Sequence, residues 1–392
     1  MISKSIIALS LTSSLSFLSH AAPNNPAIDS SVVSLRTSCI EGGNEINNCF
    51  NDLTALEGWM NNIRISPSLL IDVAPGTYTR GPANTAGAIN CSSKNITIRG
   101  SGRTQSQIKS ENTGVFPSAG ISIGAGCDNL DVQDIKISGW LQGAVTSNST
   151  VSTFWTNVEL EGGTYGWLEP EGECSDNDGK HFWYSSSIVA TGATGGTINY
   201  TAHCAESWFF NSQIVANNNG TGAVSGFALL ADDAEVHIYG SNVRLIIGDN
   251  IDAAGADVIR SINGGLVHVH GTGLDLIHNG TGVSSVLEAD GLSEIHANET
   301  SFSLHNNSTG NVERLSGTGK LSSPFQWSSR SVPPVMLSRS GADTYIETDC
   351  PATDNCSKGG TFPHTMIYRA ECTGTSVNEG PWYDTVTNAC RQ

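Results

Sequence analysis

The chain reads as an all-β solenoid, and two observations say so. The first is a faint internal repeat of seven rungs, spaced 22 to 31 residues apart, at Asp134, Thr156, Ser186, Ser212, Ser241, Thr272 and Thr300. An apolar–any–apolar triplet follows each: Ile135/Ile137, Val158/Leu160, Ile188/Ala190, Ile214/Ala216, Val243/Leu245, Leu274/Leu276 and Phe302/Leu304. Alternation puts both apolar side chains of a triplet on one face of a strand. Units this short bury that face only by stacking on their neighbours. The second observation is composition. Charged residues are 14% and glycine is 43 of 392, with Ser, Thr and Asn abundant. Such a mixture suits short strands and tight bends and is poor in helix formers.

Residues 1–21 have the form of a signal peptide, with Lys4 ahead of the apolar stretch Ile6 to Leu18 and a small-residue site at Ser19-His20-Ala21. No other segment has the roughly 20 apolar residues that a membrane helix needs. Removing the leader takes the net charge from −18 to −19. A chain so acidic argues against nucleic acid or an anionic membrane as partner. Ten cysteines suit an oxidising, secreted destination. Proximity suggests the pairs Cys39–Cys49, Cys91–Cys127, Cys174–Cys204, Cys350–Cys356 and Cys372–Cys390. Metal binding is the rival reading, weakened by the lack of any CxxC pair.

Residues 22–45 read as an unstructured lead, and residues 46–320 as the solenoid. From Asn51 to Arg64, Leu53, Leu56, Met60 and Ile63 recur at helical spacing, behind Asn51 or Asp52 as N-cap. Leu69, Ile71 and Val73 then alternate into Pro75-Gly76-Thr77-Tyr78, and a second strand runs from Asn95 to Arg99 ahead of Gly100-Ser101-Gly102-Arg103. A helix, a strand entering "PGTY", then "NITIRGSGR" resembles the opening of the pectin-lyase-like superfamily. The resemblance implies a right-handed parallel β-helix whose helix caps the open N-terminal end, shielding strand edges.

Three coils carry the repeat most clearly: "ADDAEVHIYGSNVRLII", "SINGGLVHVHGTGLDLI" and "ADGLSEIHANETSFSLH". In their middle strands Val236/Ile238, Val267/Val269 and Ile295/Ala297 point inward. His237, His268 and His296 then point outward in one column, about 4.8 Å apart. Three imidazoles along a flat sheet do not converge on a metal, so the column reads as an exposed face. After Gly319 the pattern changes. Residues 330–392, with four cysteines and Pro333-Pro334, read as a small disulfide-rich C-terminal cap or module.

The turn before each middle strand is the main candidate for chemistry. It offers Asn177 between Asp176 and Asp178, then His203, Asp232, Asn263, and Gly291 beside Asp290, with Arg260 and Glu288 just before it. Such a ridge would bind Ca²⁺, polarise a sugar or supply a base. Equally, Asp, Asn and Gly occupy solenoid turns because they hydrogen-bond locally. The catalytic candidates are Arg260, His203 and Asp233. Substrate-binding candidates are Asp232, Glu288, Trp167 and Trp208, the last two for sugar stacking, although core packing is their competing role. Asp176 and Asp178 are the metal candidates, with Ca²⁺ as the cofactor.

Related enzymes narrow this little. The "QDTL" and "DFIFG" motifs of pectin methylesterases are absent, as is the full motif set of polygalacturonases, answered here only by Asp232-Asp233 and His270-Gly271. Asp232, Asp233 and Arg260 match the residue types of pectate lyases without the "WIDH" motif. The expectation is a secreted protein that acts on a polysaccharide, as lyase or hydrolase, along an extended groove. The alternative is a non-enzymatic adhesin or glycan-binding protein.

Overall fold

The computed structural model describes most residues from Ala27 to His296 and, after them, the strands as far as Ala389–Arg391. Outside the description lie residues 1–26, several inter-strand connections (chiefly 40–48, 81–88, 111–118, 147–150, 170–178, 193–196, 218–225, 248–256 and 279–286), and most links after 296. The leader therefore falls outside it.

The chain forms a parallel β-solenoid. One face is a 16-stranded sheet in which each coil adds one strand beside the last. The other two faces join where Lys136–Thr146 and Glu159–Leu168 run around a corner unbroken, each pairing at both ends with different neighbours. Every pairing up to Tyr345–Asp349 in the large sheet is parallel. The last three strands, Thr365–Tyr368, Trp382–Asp384 and Ala389–Arg391, then add antiparallel.

The N-terminal end starts earlier than the sequence suggested. Ala27–Leu35 is a strand rather than an unstructured lead, set between Cys49–Phe50 and Arg64–Val73. The alternation Val33-Ser34-Leu35 carries it, since Val33 and Leu35 are fully buried. Helix α1 (Leu53–Asn62) follows, with Asp52 as its cap: Ala55 N donates to Asp52 Oδ1 at 2.7 Å. Such a cap contributes about 1 kcal/mol. Leu53 and Leu56 are fully buried, and Trp59 packs on Phe50 at 5.6 Å between ring centroids. Glu57 forms an ion pair with the wholly buried Arg80 of the strand Gly76–Arg80, tying the helix to the first coil. Two of the suggested disulfides are present, Cys39–Cys49 and Cys91–Cys127. Cys204 is also disulfide-bonded. The pairs at Cys350, Cys356, Cys372 and Cys390, and the cap or module reading of residues 330–392, rest on side chains outside the described residues.

Inside, the triplets whose side chains are described, from Ile135/Ile137 to Val243/Leu245, point as expected, but their register differs. Ile137, Leu160, Ile188, Ile214, Leu245, Leu276 and Leu304 form one line. Leu160, not Val158, meets Ile188, and Leu245, not Val243, meets Ile214. The slip is two residues, so the same parity still faces inward. It places Ser186 and Ser212 in the column of Val158 and Val243. The sequence tolerates hydroxyls there because both are satisfied at the corner. Ser186 Oγ accepts from Val158 N at 3.1 Å and donates towards the Tyr184 and Trp155 carbonyls; Ser212 Oγ repeats this one coil on with Ser186 N, Phe210 O and Trp183 O.

Aromatic side chains fill the central coils. Trp155 and Trp183 stack at 4.8 Å, and Trp167 meets both edge-on at 5.7 and 5.4 Å. Trp167 has no exposed surface. The expectation that it stacks on a sugar is thereby overturned, because its place in the strand Glu159–Leu168 turns it into the core. Asn199, the first residue of an Asn-Tyr-Thr glycosylation sequon, is buried as well and donates to the Ile188 and Val215 carbonyls at 2.8 Å each.

Candidate functional site

The turn ridge exists, but it resolves into two pairs rather than one convergent centre. His203 and Asp232 are register partners on adjacent coils. His203 Nδ1 lies 3.1 Å from the Asp232 carbonyl and 3.7 Å from its Oδ2. Asp232 is nearly buried, and its Oδ1 accepts from Asn263 Nδ2 at 2.6 Å. Behind them the backbone N–H of His203 donates to Glu169 Oε2 at 2.6 Å. Asp233 sits exposed at the turn itself with φ of 49°, in line with Cys204 at 68° and Asn263 at 56°. Aspartate and asparagine tolerate that left-handed backbone, which explains the residue choice without chemistry.

Arg260 and Glu288 make the second pair, as register partners on the preceding strand. Arg260 Nη2 is 3.7 Å from Glu288 Oε1, and its guanidinium lies over the Phe227 ring at 5.1 Å. Glu288 is buried, which leaves it as the counter-ion of Arg260 and not as an open sugar-binding acid. The donors around Asp232 are an amide and an imidazole, so they do not assemble the six or more oxygens that Ca²⁺ requires. Asp176 and Asp178 lie outside the described residues.

A larger feature stands on the outer face of the large sheet. Phe154, Phe182, Trp208, His237, His268 and His296 share one column, coil after coil. Two residues further along the same strands, Tyr184, Phe210, Tyr239 and His270 form a second. The rings stack along the solenoid axis. Phe154 meets Phe182 at 5.1 Å, Tyr184 meets Phe210 at 4.8 Å, Phe210 meets Tyr239 at 5.1 Å and Tyr239 meets His270 at 4.6 Å. In the other column Trp208 meets His237 at 4.3 Å, His237 meets His268 at 5.1 Å, and His268 meets His296 at 5.3 Å. Interplanar angles near 10° in most of these pairs mean that the ring faces cover one another. What meets solvent is therefore a double row of ring edges, and edges carry the positive side of the aromatic quadrupole.

One side of this double row is charged. Lys180, Glu206, Glu235, Leu266 and Glu294 form the neighbouring outward column. Lys180 Nζ reaches Glu206 Oε2 at 2.5 Å and lies over the Trp208 ring at 5.7 Å. His237 Nε2 lies 3.2 Å from Glu206 Oε1 and 3.1 Å from Glu235 Oε1; His268 Nε2 lies 3.3 Å from the same Glu235 oxygen. Burial, and then the neighbouring His237 and His296, hold the His268 imidazole below the ordinary histidine range.

The expected outward column His237–His268–His296 is thus correct, and Trp208 belongs to it. Sequence reading missed its continuation through Phe154, Phe182, Tyr184, Phe210, Tyr239 and His270. The signal was present as alternation in "HFWY", "SWFF", "VHIY" and "VHVH", where every second residue is a ring facing out. No family model, no curated protein and no solved structure matches this chain.

Proposed function

We propose that the protein is a secreted glycan-binding β-solenoid that docks an extended, uncharged polysaccharide along the double row of ring edges. The observation that carries this reading is the ladder itself: ten rings in unbroken register, on an outward face, repeating about every 4.8 Å. A polymer of repeating units fits a surface of evenly spaced aromatic rungs better than a small molecule does. Sugar hydroxyl oxygens suit positive ring edges, and sugar C–H groups suit the apolar surface between them. Glu206, Glu235 and Glu294 along the margin, on a chain of net charge −18, disfavour a polyuronate. The leader-like residues 1–21 and the disulfides support export.

The test is affinity electrophoresis of the purified chain through gels holding neutral glucans, xylan or polygalacturonate. Retardation by a neutral polysaccharide, lost in Phe210→Ala/Tyr239→Ala, is the expected result. Free migration through every neutral gel removes the proposal. A second reading, polysaccharide cleavage, rests on the His203–Asp232 pair beside Arg260. It requires new reducing ends or unsaturated products from the same polymers, and their loss in His203→Ala. The pectin-lyase-like assignment belongs with that second reading, since the "PGTY" and "NITIRGSGR" opening is its support.

A further inference from the structure

We propose that Glu206, Glu235 and His237 form a binding site for a zinc-like divalent metal ion on the outer face of the solenoid. This does not rest on glycan docking. One ligand atom from each of the three lies within 4.8 Å of the other two. The contacts to His237 Nε2 are 3.2 Å from Glu206 Oε1 and 3.1 Å from Glu235 Oε1. A tetrahedral zinc site with bonds of about 2.0–2.1 Å has ligand–ligand edges of about 3.3–3.4 Å. The two edges at His237 are therefore close to tetrahedral, and the third, between the two carboxylates, lies within 4.8 Å and closes by rotation of the Glu206 and Glu235 side chains.

Topology explains why the ligands converge although a histidine column alone does not. Histidines of one column stand a full rung apart. Glu206 and Glu235 come from the adjacent outward column, two residues before Trp208 and His237 on their strands, and they lean across to meet one imidazole. His237 is fixed from three sides. Trp208 covers one ring face at 4.3 Å, His268 stacks on the other at 5.1 Å, and its Nδ1 lies 3.5 Å from His270 Nε2. A partner on the second ring nitrogen is the usual support of a metal-ligating histidine, because it presents the other nitrogen's lone pair to the ion.

Charge and donor type point the same way. Two carboxylates and a neutral imidazole offset a divalent charge, and a nitrogen in the set favours zinc over calcium or magnesium. His268 Nε2, 3.3 Å from Glu235 Oε1, borders the fourth position, which is otherwise left to water or to an oxygen of a bound ligand. Lys180 is the built-in competitor, since its ammonium reaches Glu206 Oε2 at 2.5 Å.

The experiment is zinc titration calorimetry on the full chain, free of any histidine tag and stripped with chelator. Cobalt(II) absorption serves as a second readout of tetrahedral ligation. One zinc per chain is expected, with calcium and magnesium at equal concentration failing to displace it. Glu235→Gln and His237→Ala should each weaken binding at least tenfold and lose the tetrahedral cobalt bands. Lys180→Met should tighten binding several-fold. Circular dichroism and the zinc-free Tm of each variant separate lost ligands from lost fold. Zinc should raise the Tm of the wild type and leave that of Glu235→Gln unchanged. Absence of stoichiometric zinc in the wild type, or zinc retained by a folded Glu235→Gln/His237→Ala double variant, overturns the proposal.

Discussion

His181 and Glu169 meet inside the solenoid, with Nε2 2.5 Å from Oε1 and neither side chain meaningfully exposed. The approach lies off the line of a good hydrogen bond, so the two groups are held side by side by the packing around them and by their other partners. On its far side His181 Nδ1 shares a 2.8 Å hydrogen bond with Thr153 Oγ1, which also accepts from Trp155 Nε1. Glu169 Oε2 meanwhile accepts from His203 N, so the pair links the aromatic core to the turn of the next coil. Removing one partner strands the other in a dry interior. His181→Leu is expected to destabilise the chain by about 3–5 kcal/mol. The double variant His181→Leu/Glu169→Leu should cost much less than the two single changes together, because no buried polar group is then left without its partner. Urea midpoints of the four proteins give the coupling directly; simple additivity would show that the pair is not a unit.

Faces were legible in the sequence and register was not, for one physical reason. Alternation has a period of two, so a slip of two residues leaves Val158, Leu160, Val243 and Leu245 pointing inward. Only the link lengths decide which of them meet. The link from Tyr239 to Val243 is two residues longer than that from Phe210 to Ser212, and this moves Leu245 onto Ile214. The ridge was legible as a list of polar turn residues. Its division into His203–Asp232 and Arg260–Glu288 depends on which coil each residue falls in. Trp167 and Trp208 look alike in sequence, and only strand parity sends one inward and the other out.

A column of left-handed corners gives a clean surface test. Asp134, Asn157, Ser185 and Asn211 have φ of 50–53°, and each N–H donates to the next coil, ending at Tyr239 O. Asn157 Nδ2 also donates to Asp134 Oδ1 at 2.6 Å. Ser185, an exposed residue, interrupts this run of aspartate and asparagine side chains. Ser185→Asn is expected to stabilise by about 0.5 kcal/mol, since Asn adopts this backbone more readily and continues the ladder. Ser185→Val should cost about 1–2 kcal/mol. Equal midpoints for the two variants would mean that the corner conformation does not limit stability.

The ring ladder should lose stability in proportion to the stacks broken. Phe210 has two partners in its column, Tyr184 at 4.8 Å and Tyr239 at 5.1 Å, whereas Phe154, at the end of its column, stacks on Phe182 alone. Each aromatic pair contributes about 0.5–1.5 kcal/mol beyond burial. Phe210→Ala is therefore expected to cost about 1–3 kcal/mol and Phe154→Ala about half that. A larger loss at Phe154 than at Phe210, from urea unfolding, would contradict a ladder held by mutual stacking.

Alkaline pH should unfold the solenoid through its buried phenols. Tyr200 has no exposed surface, and burial first, then the charge of Glu169, holds its hydroxyl well above the ordinary value of 10.0. Tyr78, also buried, is raised in the same direction. Below pH 10 both folded and unfolded chains keep these protons, so stability does not change through them. As pH rises from 10 towards the folded value, only the unfolded chain releases them, and stability falls steadily. Tyr200→Phe removes that slope for one residue, though it deprives Trp183 Nε1 of an acceptor 3.2 Å away and Ser207 Oγ of its partner at 2.8 Å. The variant should be weaker than wild type by about 1–2 kcal/mol at neutral pH. The gap should narrow above pH 10, where the wild type declines faster. Circular dichroism against pH, with tyrosinate absorbance read in the same cuvette, checks this: ionisation of Tyr200 while the β signal is intact would show that its hydroxyl is not sealed in the core.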